Sequence, residues 1–225
     1  MHNAAFDELG IDARYEAWDV PPKDLAAAVV SLREEDVYGA NVTIPHKLEV
    51  FNLMDSLSDA AKQIGAVNTI INQNEKLHGH NTDAAGFLRA LKEDGGFSPE
   101  GKSVVMLGAG GAARAVVYAL LKEGVAQLQV YNRTESKAEA LVKDFTALGA
   151  VSYLAKPDLQ FAVHEADLIV NTTSVGMEKD GLDPKVSPLP KGVLPAKGFV
   201  ADLVYRPATT QLMRDARAAG SSVQN

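Results

Sequence analysis

Val104-Val105-Met106-Leu107 runs without a break into Gly108-Ala109-Gly110-Gly111-Ala112-Ala113. A short apolar strand that ends in Gly-x-Gly-x-x-Ala at the mouth of a helix leaves few folds open. Gly108 permits a tight turn, Gly110 lets a pyrophosphate touch the backbone, and Ala113 keeps the helix close to the sheet. The helix N-terminus adds free N–H groups. A glycine-rich turn with no ligand is the plainer reading of such a loop, and the segments around it argue against that. Strands over Ser103–Leu107, Gln127–Tyr131 and Val151–Leu154, separated by helices over Ala112–Lys122 and Ser136–Leu148, make a βαβαβ unit. A further strand follows at Asp167–Asn171. A loop rich in Gly and Pro, Ser174–Gly198, then precedes a last strand, Phe199–Val204, and a helix from about Ala208 to Ala219. The fold class expected is α/β, with a Rossmann-type doubly wound sheet carrying a dinucleotide.

Which dinucleotide is decided at the end of the second strand of that unit. An acidic residue there accepts a hydrogen bond from the ribose hydroxyl of NAD. This chain has Asn132-Arg133-Thr134 instead. A carboxylate would repel the additional phosphate of NADP, whereas Arg133 can pair with it through two N–H groups; Thr134 and Lys137 add a hydroxyl donor and a second positive charge. Arg and Lys are also common solvated residues at a helix start, so Lys137 alone carries little weight. The cofactor implied is NADP.

The first part of the chain has a different rhythm. Strands are expected over Arg14–Asp19, Gly39–Ile44, Val67–Asn72 and Lys76–His80, the last two forming a hairpin across Gln73-Asn74. Pro21-Pro22 opens a helix through Asp24–Arg33, Pro45 another through Phe51, and Thr82-Asp83 a third to about Glu93. Asp94–Gly101 reads as a linker. The organisation expected is residues 1–85 as a substrate domain, 86–207 as the NADP domain, and 208–225 as the start of helices returning to the substrate domain. Polar side chains recur at strand ends, where α/β sites form: Asn41-Val42-Thr43-Ile44-Pro45-His46-Lys47, then Asn68-Thr69, then Asn81-Thr82-Asp83. Singly, Asp83 or Thr82 reads as a helix cap, Lys47 as a surface lysine and Asn68 as a turn residue. Their recurrence at successive strand ends points to one site.

Charge and composition exclude other classes. Lys plus Arg number 22 against 29 Asp plus Glu, a net charge of -7, which does not suit a nucleic-acid surface. The absence of cysteine removes thiolate metal sites and thiol nucleophiles and fits a reducing, cytoplasmic compartment. Neither a signal peptide nor a membrane anchor is read in the sequence. His46, His78 and His80 lack a third ligand nearby in sequence, and His78-Gly79-His80 fits alternate positions of an edge strand, so no metal is expected.

The strings NVTIPHK, GAVNTI, HGHNTDAAGF, GAGGAARA, NRT, NTTSVGM and ADLVYRP, in this order and spacing, resemble the shikimate dehydrogenase family over nearly the whole chain. The resemblance implies NADPH-dependent reduction of 3-dehydroshikimate to shikimate. It implies Lys47 and Asp83 as the catalytic pair, with Thr43, Asn68 and Tyr205 holding ring hydroxyls. Gly108, Ala109, Gly110, Gly111, Ala112, Asn132, Arg133, Thr134 and Lys137 would form the cofactor site, and Met177 would pack near the nicotinamide. Met177 and Tyr205 also read as ordinary packing residues. The partners implied are small molecules, in a monomer or homodimer. By the same resemblance a first strand with a serine-containing loop, and closing helices with a substrate-contacting glutamine, lie outside this chain. The substrate domain is therefore expected to be incomplete and turnover weak. A dehydrogenase that accepts quinate and a non-catalytic NADP-binding fragment are the alternatives.

Overall fold

A computed structural model describes residues 1–179 and 181–225. The first part contains helix α1 (His2–Leu9), helix α2 (Leu25–Ser31), strand β1 (Gly39–Asn41), strand β2 (Ser56–Leu57), helix α3 (Asp59–Ile64), strands β3 (Thr69–Gln73) and β4 (Lys76–His80), and helix α4 (Asp83–Arg89). Its sheet has the order β1-β3-β4-β2, with β3 antiparallel to both neighbours and β2 parallel to β4. Leu25, Val29 and Leu32 along α2 pack on Ile70 of β3 and Leu77 of β4, joined by Val50, Ala61 and Val67. Helical spacing on one element and alternation on the others thus meet in one small core.

Several expected elements take other forms. Residues 14–19 form no strand: the Tyr15 backbone amide and carbonyl bond to the Asn3 side chain and not to a strand backbone, and a strand requires a backbone partner. Pro45 opens no regular helix. Residues 44–49 are successive turns leading into a 3₁₀ turn at Val50–Leu53, and the Ile44-Pro45 peptide is cis. β1 stops at Asn41, short of Ile44. The β3–β4 turn is Asn74-Glu75, both with positive φ, so Gln73 pairs with Lys76. β4 lies between β3 and β2 and is no edge; the rings of His78 and His46 engage Ser56 Oγ and the Val20 carbonyl.

The second part contains β5 (Ser103–Leu107), α5 (Gly111–Lys122), β6 (Gln127–Tyr131), α6 (Glu135–Phe145), β7 (Val151–Tyr153), α7 (Leu159–Glu165), β8 (Leu168–Asn171), β9 (Phe199–Asp202), α8 (Gln211–Ala219) and β10 (Ser222–Gln224). Its six strands are all parallel in the order β10-β9-β8-β5-β6-β7, which is the doubly wound arrangement. The strands are buried on both faces. Val104 and Met106 of β5 point to Val116 and Leu120 of α5 and Phe145 of α6, while Val105 and Leu107 point to Val163 of α7 and Leu212 and Ala216 of α8. Residues 208–225 do not lead back to the first sheet: α8 covers the second one and β10 extends it beside β9. The linker expected at Asp94–Gly101 is packed as well, since Phe97 meets the Phe199 ring at 5.0 Å. No helix among the described residues is long and apolar enough to cross a membrane.

Asp55, at the entry to β2, ties the first unit together by accepting hydrogen bonds from Arg33 Nη1 at 2.6 Å and from the Leu77 amide at 2.7 Å. The Arg33 guanidinium first, and then that amide, hold its carboxyl below the usual aspartate value. A depressed folded-state pKa contributes stability that is present above the unfolded-state value and is lost as pH falls through the folded one. The stabilities of wild type and Asp55→Asn, measured by denaturant unfolding, should differ above about pH 4 and converge in more acid solution. A constant difference across that range would contradict the assignment.

Candidate active site

The amino end of β3, the carboxyl end of β4, the turns after β1 and the first turn of α4 converge on Lys47 and Asp83. Lys47 Nζ lies 2.8 Å from Asp83 Oδ2, with the two side chains 15% and 28% exposed. Lys47 is placed from its backbone outward. The Val67 amide donates to its carbonyl at 2.8 Å, while the His46 amide returns to Thr43 and the Val50 amide to His46. Asp83 is the first residue of α4 but does not cap it: its carboxylate oxygens serve Lys47 and Asn68, and its amide donates to Asn81 Oδ1 at 3.1 Å.

Two buried amides position this pair. Asn68 Nδ2 donates to Asp83 Oδ1 at 2.8 Å and to Thr82 Oγ1 at 2.9 Å, and its Oδ1 accepts from the Thr82 amide and Thr69 Oγ1. Asn81, part of the expected polar constellation but given no role there, donates from Nδ2 to the Ala66 carbonyl at 3.0 Å and so ties the end of β4 to the segment before β3. The only trace of its role in the sequence is a polar residue closing an apolar strand. Thr43 is exposed at the strand end, and Tyr205 is 72% exposed. Tyr205 is therefore no anchor beneath the last helix.

The second sheet presents its glycine loop at the point where strand order reverses, between β5 and β8. Gly108 has φ +112, and a Cβ there would collide with Thr172 Oγ1. A Cβ on Gly110 would meet nothing within 4 Å, which leaves its backbone open to a ligand. Ala109 and Ala112 complete the loop and first turn of α5. Arg133 and Lys137 are exposed beyond β6, whose end carries no acid, and neither pairs with a carboxylate among the described residues. Asn132 Nδ2 donates to the Thr134 carbonyl at 2.8 Å, which shapes this corner. An open glycine cradle at a helix N-terminus, followed by unpaired cations and no carboxylate at the strand end, fits a dinucleotide with an additional phosphate.

A second buried network holds the loops on the other side of this crevice. Asn171, ending β8, donates from Nδ2 to Asp202 Oδ1 at 2.8 Å and accepts from Thr173 Oγ1 at 2.7 Å. Asp202, ending β9, also accepts from Thr210 Oγ1 at 2.6 Å and from the Val204 amide at 3.1 Å. Burial raises the Asp202 carboxyl above the usual aspartate value, opposed by these three donors. Met177 closes the loop through a hydrogen bond from its amide to the Ser174 carbonyl at 3.2 Å and is partly buried. Asn171, Asp202 and Thr210 were not among the expected site residues; Asn171 and Asp202 close fully apolar strands and fall within the strings NTTSVGM and ADLVYRP, while Thr210 precedes α8 as its N-cap.

Strand order, glycine loop and a paired lysine and aspartate at the sheet ends define a dinucleotide-binding α/β protein of the oxidoreductase type. Residues 1–70 match the family model for the shikimate dehydrogenase substrate binding domain, and residues 91–178 match that for shikimate / quinate 5-dehydrogenase. A relative from Geobacillus kaustophilus named shikimate dehydrogenase (NADP(+)) is 40% identical over 225 residues, 100% of this chain and 80% of the relative. The solved shikimate 5-dehydrogenase of Thermus thermophilus, in complex with NADP(H) and shikimate, superposes with a TM-score of 0.87 at 40% identity, covering 100% of this chain and 80% of that one. Quinate dehydrogenase from Corynebacterium glutamicum, in complex with NAD, gives 0.80 at 33% identity, covering 99% and 80%. The chain belongs to the shikimate dehydrogenase family.

Lys47 and Asp83 face each other at close range and low exposure, so each should stabilise the other. In a double-mutant cycle of Lys47→Met and Asp83→Asn followed by urea unfolding, the expected coupling is roughly 0.5–3 kcal/mol. Strict additivity would mean that the pair is not formed in solution.

Proposed function

We propose that this chain catalyses the reversible NADPH-dependent reduction of 3-dehydroshikimate to shikimate. The observation that carries this reading is the Lys47–Asp83 pair, 2.8 Å apart, with the lysine stem against Gly111 at the mouth of the dinucleotide loop. A proton donor is thereby set beside the cradle of a hydride carrier. Membership of the family and the absence of an acid at the end of β6 support the substrate and the choice of NADP. Residues 1–85 hold the substrate, and the dinucleotide unit begins at residue 86.

When bound, NADPH supplies the hydride that adds to the ketone carbon. Negative charge then grows on the substrate oxygen, and Lys47 delivers a proton to it from Nζ; in the reverse direction its neutral amine accepts that proton. An ammonium has three N–H donors, and the one given to Asp83 leaves others for the substrate. Asp83 keeps Lys47 oriented and takes part in the same polar contact with the reacting hydroxyl. Thr43 and Tyr205, both exposed, hold ring hydroxyls. Asn68 already uses its amide on Asp83, Thr82 and Thr69, so it acts first by fixing Asp83 and reaches the ring only by exchanging one of those bonds. The backbone of Gly108 through Ala112 receives the pyrophosphate; Asn132, Arg133, Thr134 and Lys137 hold the adenosine phosphate, and Met177 packs at the nicotinamide.

The test is NADPH oxidation by the purified chain with 3-dehydroshikimate, with quinate and shikimate compared as substrates for oxidation. Lys47→Ala should lower kcat by about 10²–10⁴-fold while NADPH binding persists. Arg133→Ala should weaken NADPH about tenfold or more and leave NADH unaffected, as expected for loss of a hydrogen bond to a charged group. No turnover with 3-dehydroshikimate would overturn the proposal, and faster oxidation of quinate than of shikimate would move it to the quinate branch.

A further inference from the structure

The three glycines of the dinucleotide loop differ in their surroundings. Gly108 needs its left-handed backbone and its closeness to Thr172, and Gly110 faces open space. Gly111, the first residue of α5, has neither feature. Its φ is outside the left-handed region, and in Gly-x-Gly-x-x-Ala it holds an x position, where a backbone N–H can meet phosphate whatever the side chain. What it touches is Lys47: a Cβ on Gly111 would lie 2.8 Å from Lys47 Cβ, 3.4 Å from Cδ and 3.6 Å from Cγ.

We infer that Gly111 is a positioning residue for Lys47, a seat in the dinucleotide helix that lets the lysine stem lie flat and carry Nζ to Asp83. The inference rests on the proposed role of Lys47. Lys47 Cβ is fixed to the backbone and cannot swing aside like the tip of a flexible chain. That backbone is held in turn, because the Lys47 carbonyl accepts from the Val67 amide at 2.8 Å. A methyl group at residue 111 therefore has to push residue 47 as a unit, or push the first turn of α5 away from it. Either movement separates Nζ from its place at the substrate oxygen. Because the displaced group is the proton donor, the loss falls on the chemical step far more than on dinucleotide affinity.

The test is Gly111→Ala in the full chain, read in two ways. With saturating NADPH, kcat for 3-dehydroshikimate should fall on the order of 100-fold, the size that a misplacement of about 1 Å can produce. The Kd for NADPH, measured by titration without substrate, should change far less than kcat does. Thermal unfolding without any ligand gives the second reading. Alanine in place of glycine ordinarily favours a helix, yet here Tm should fall in wild type and should not fall in a Lys47→Gly background, where the clash has no partner. An unchanged kcat, a loss confined to NADPH affinity, or a drop in Tm that persists without the lysine side chain would each overturn the inference. If wild type itself fails to turn over, the proposed function fails, while the thermal comparison still decides whether Gly111 seats Lys47.

Discussion

Helix α5 is shared by both halves of the molecule, and its smooth side sets where everything else lies. Ala115 and Ala119 pack without side-chain bulk against Ile64, Ala66 and Ala84, which brings α4 close along it. The neighbouring face of α5 carries Val116 and Leu120 into the core of the parallel sheet. On the other flank of Ala115, Arg114 donates from Nε to the Ile64 carbonyl, pairs with Asp144 at 2.7 Å and lies over the Phe145 ring. A larger residue at 115 or 119 would hold α4 away, since close-packed interiors do not absorb extra methylenes without strain. Because α4 starts at Asp83 and α5 starts at Gly111, the closeness of these helices brings the Asp83 carboxylate, Lys47 and the glycine loop to one place.

Buried amides then give that place its rigidity. Asn68, Asn81 and Asn171 each connect two strand ends or loops and offer donor and acceptor atoms together, which an ionised aspartate cannot do. Each such hydrogen bond contributes only about 1 kcal/mol net, but a partner left without one costs roughly 1–3 kcal/mol when buried. Local polar satisfaction therefore selects one arrangement of the loops over its neighbours more strongly than it adds to stability. Asp202 extends the principle: its carboxyl is buried and raised, and three donors hold it where β9 gives way to the segment that carries Tyr205.

The second sheet is almost fully legible in the sequence. Strands at Ser103–Leu107 and Gln127–Tyr131 fall where their apolar runs place them, because a strand buried on both faces needs an unbroken run and has few alternatives. In the first part, the stretch 14–19 alternates like a strand yet has none to pair with, and Pro45 marks turns where its position suggests a helix start. Short segments of that kind take their form from tertiary neighbours, which periodicity does not encode. The packing of residues 208–225 was not legible for a related reason. An amphipathic helix specifies that one face is buried but not against which sheet, and α8 found Val163 and Val200.

The sequence by itself determined the α/β class, the parallel sheet with its glycine loop, and the residue types at the site: a lysine and an aspartate at strand ends, and cations where an acid would select NAD. These follow from local chemistry, since backbone geometry, periodicity and charge are properties of neighbouring residues. Only the tertiary structure decided that Lys47 reaches Asp83 across 36 positions of chain, that Asn81 and Asp202 hold the site from behind, and that Gly111 faces a lysine stem. Those depend on the distance between elements far apart in sequence, and that distance is set by how closely the small faces of α4 and α5 can pack.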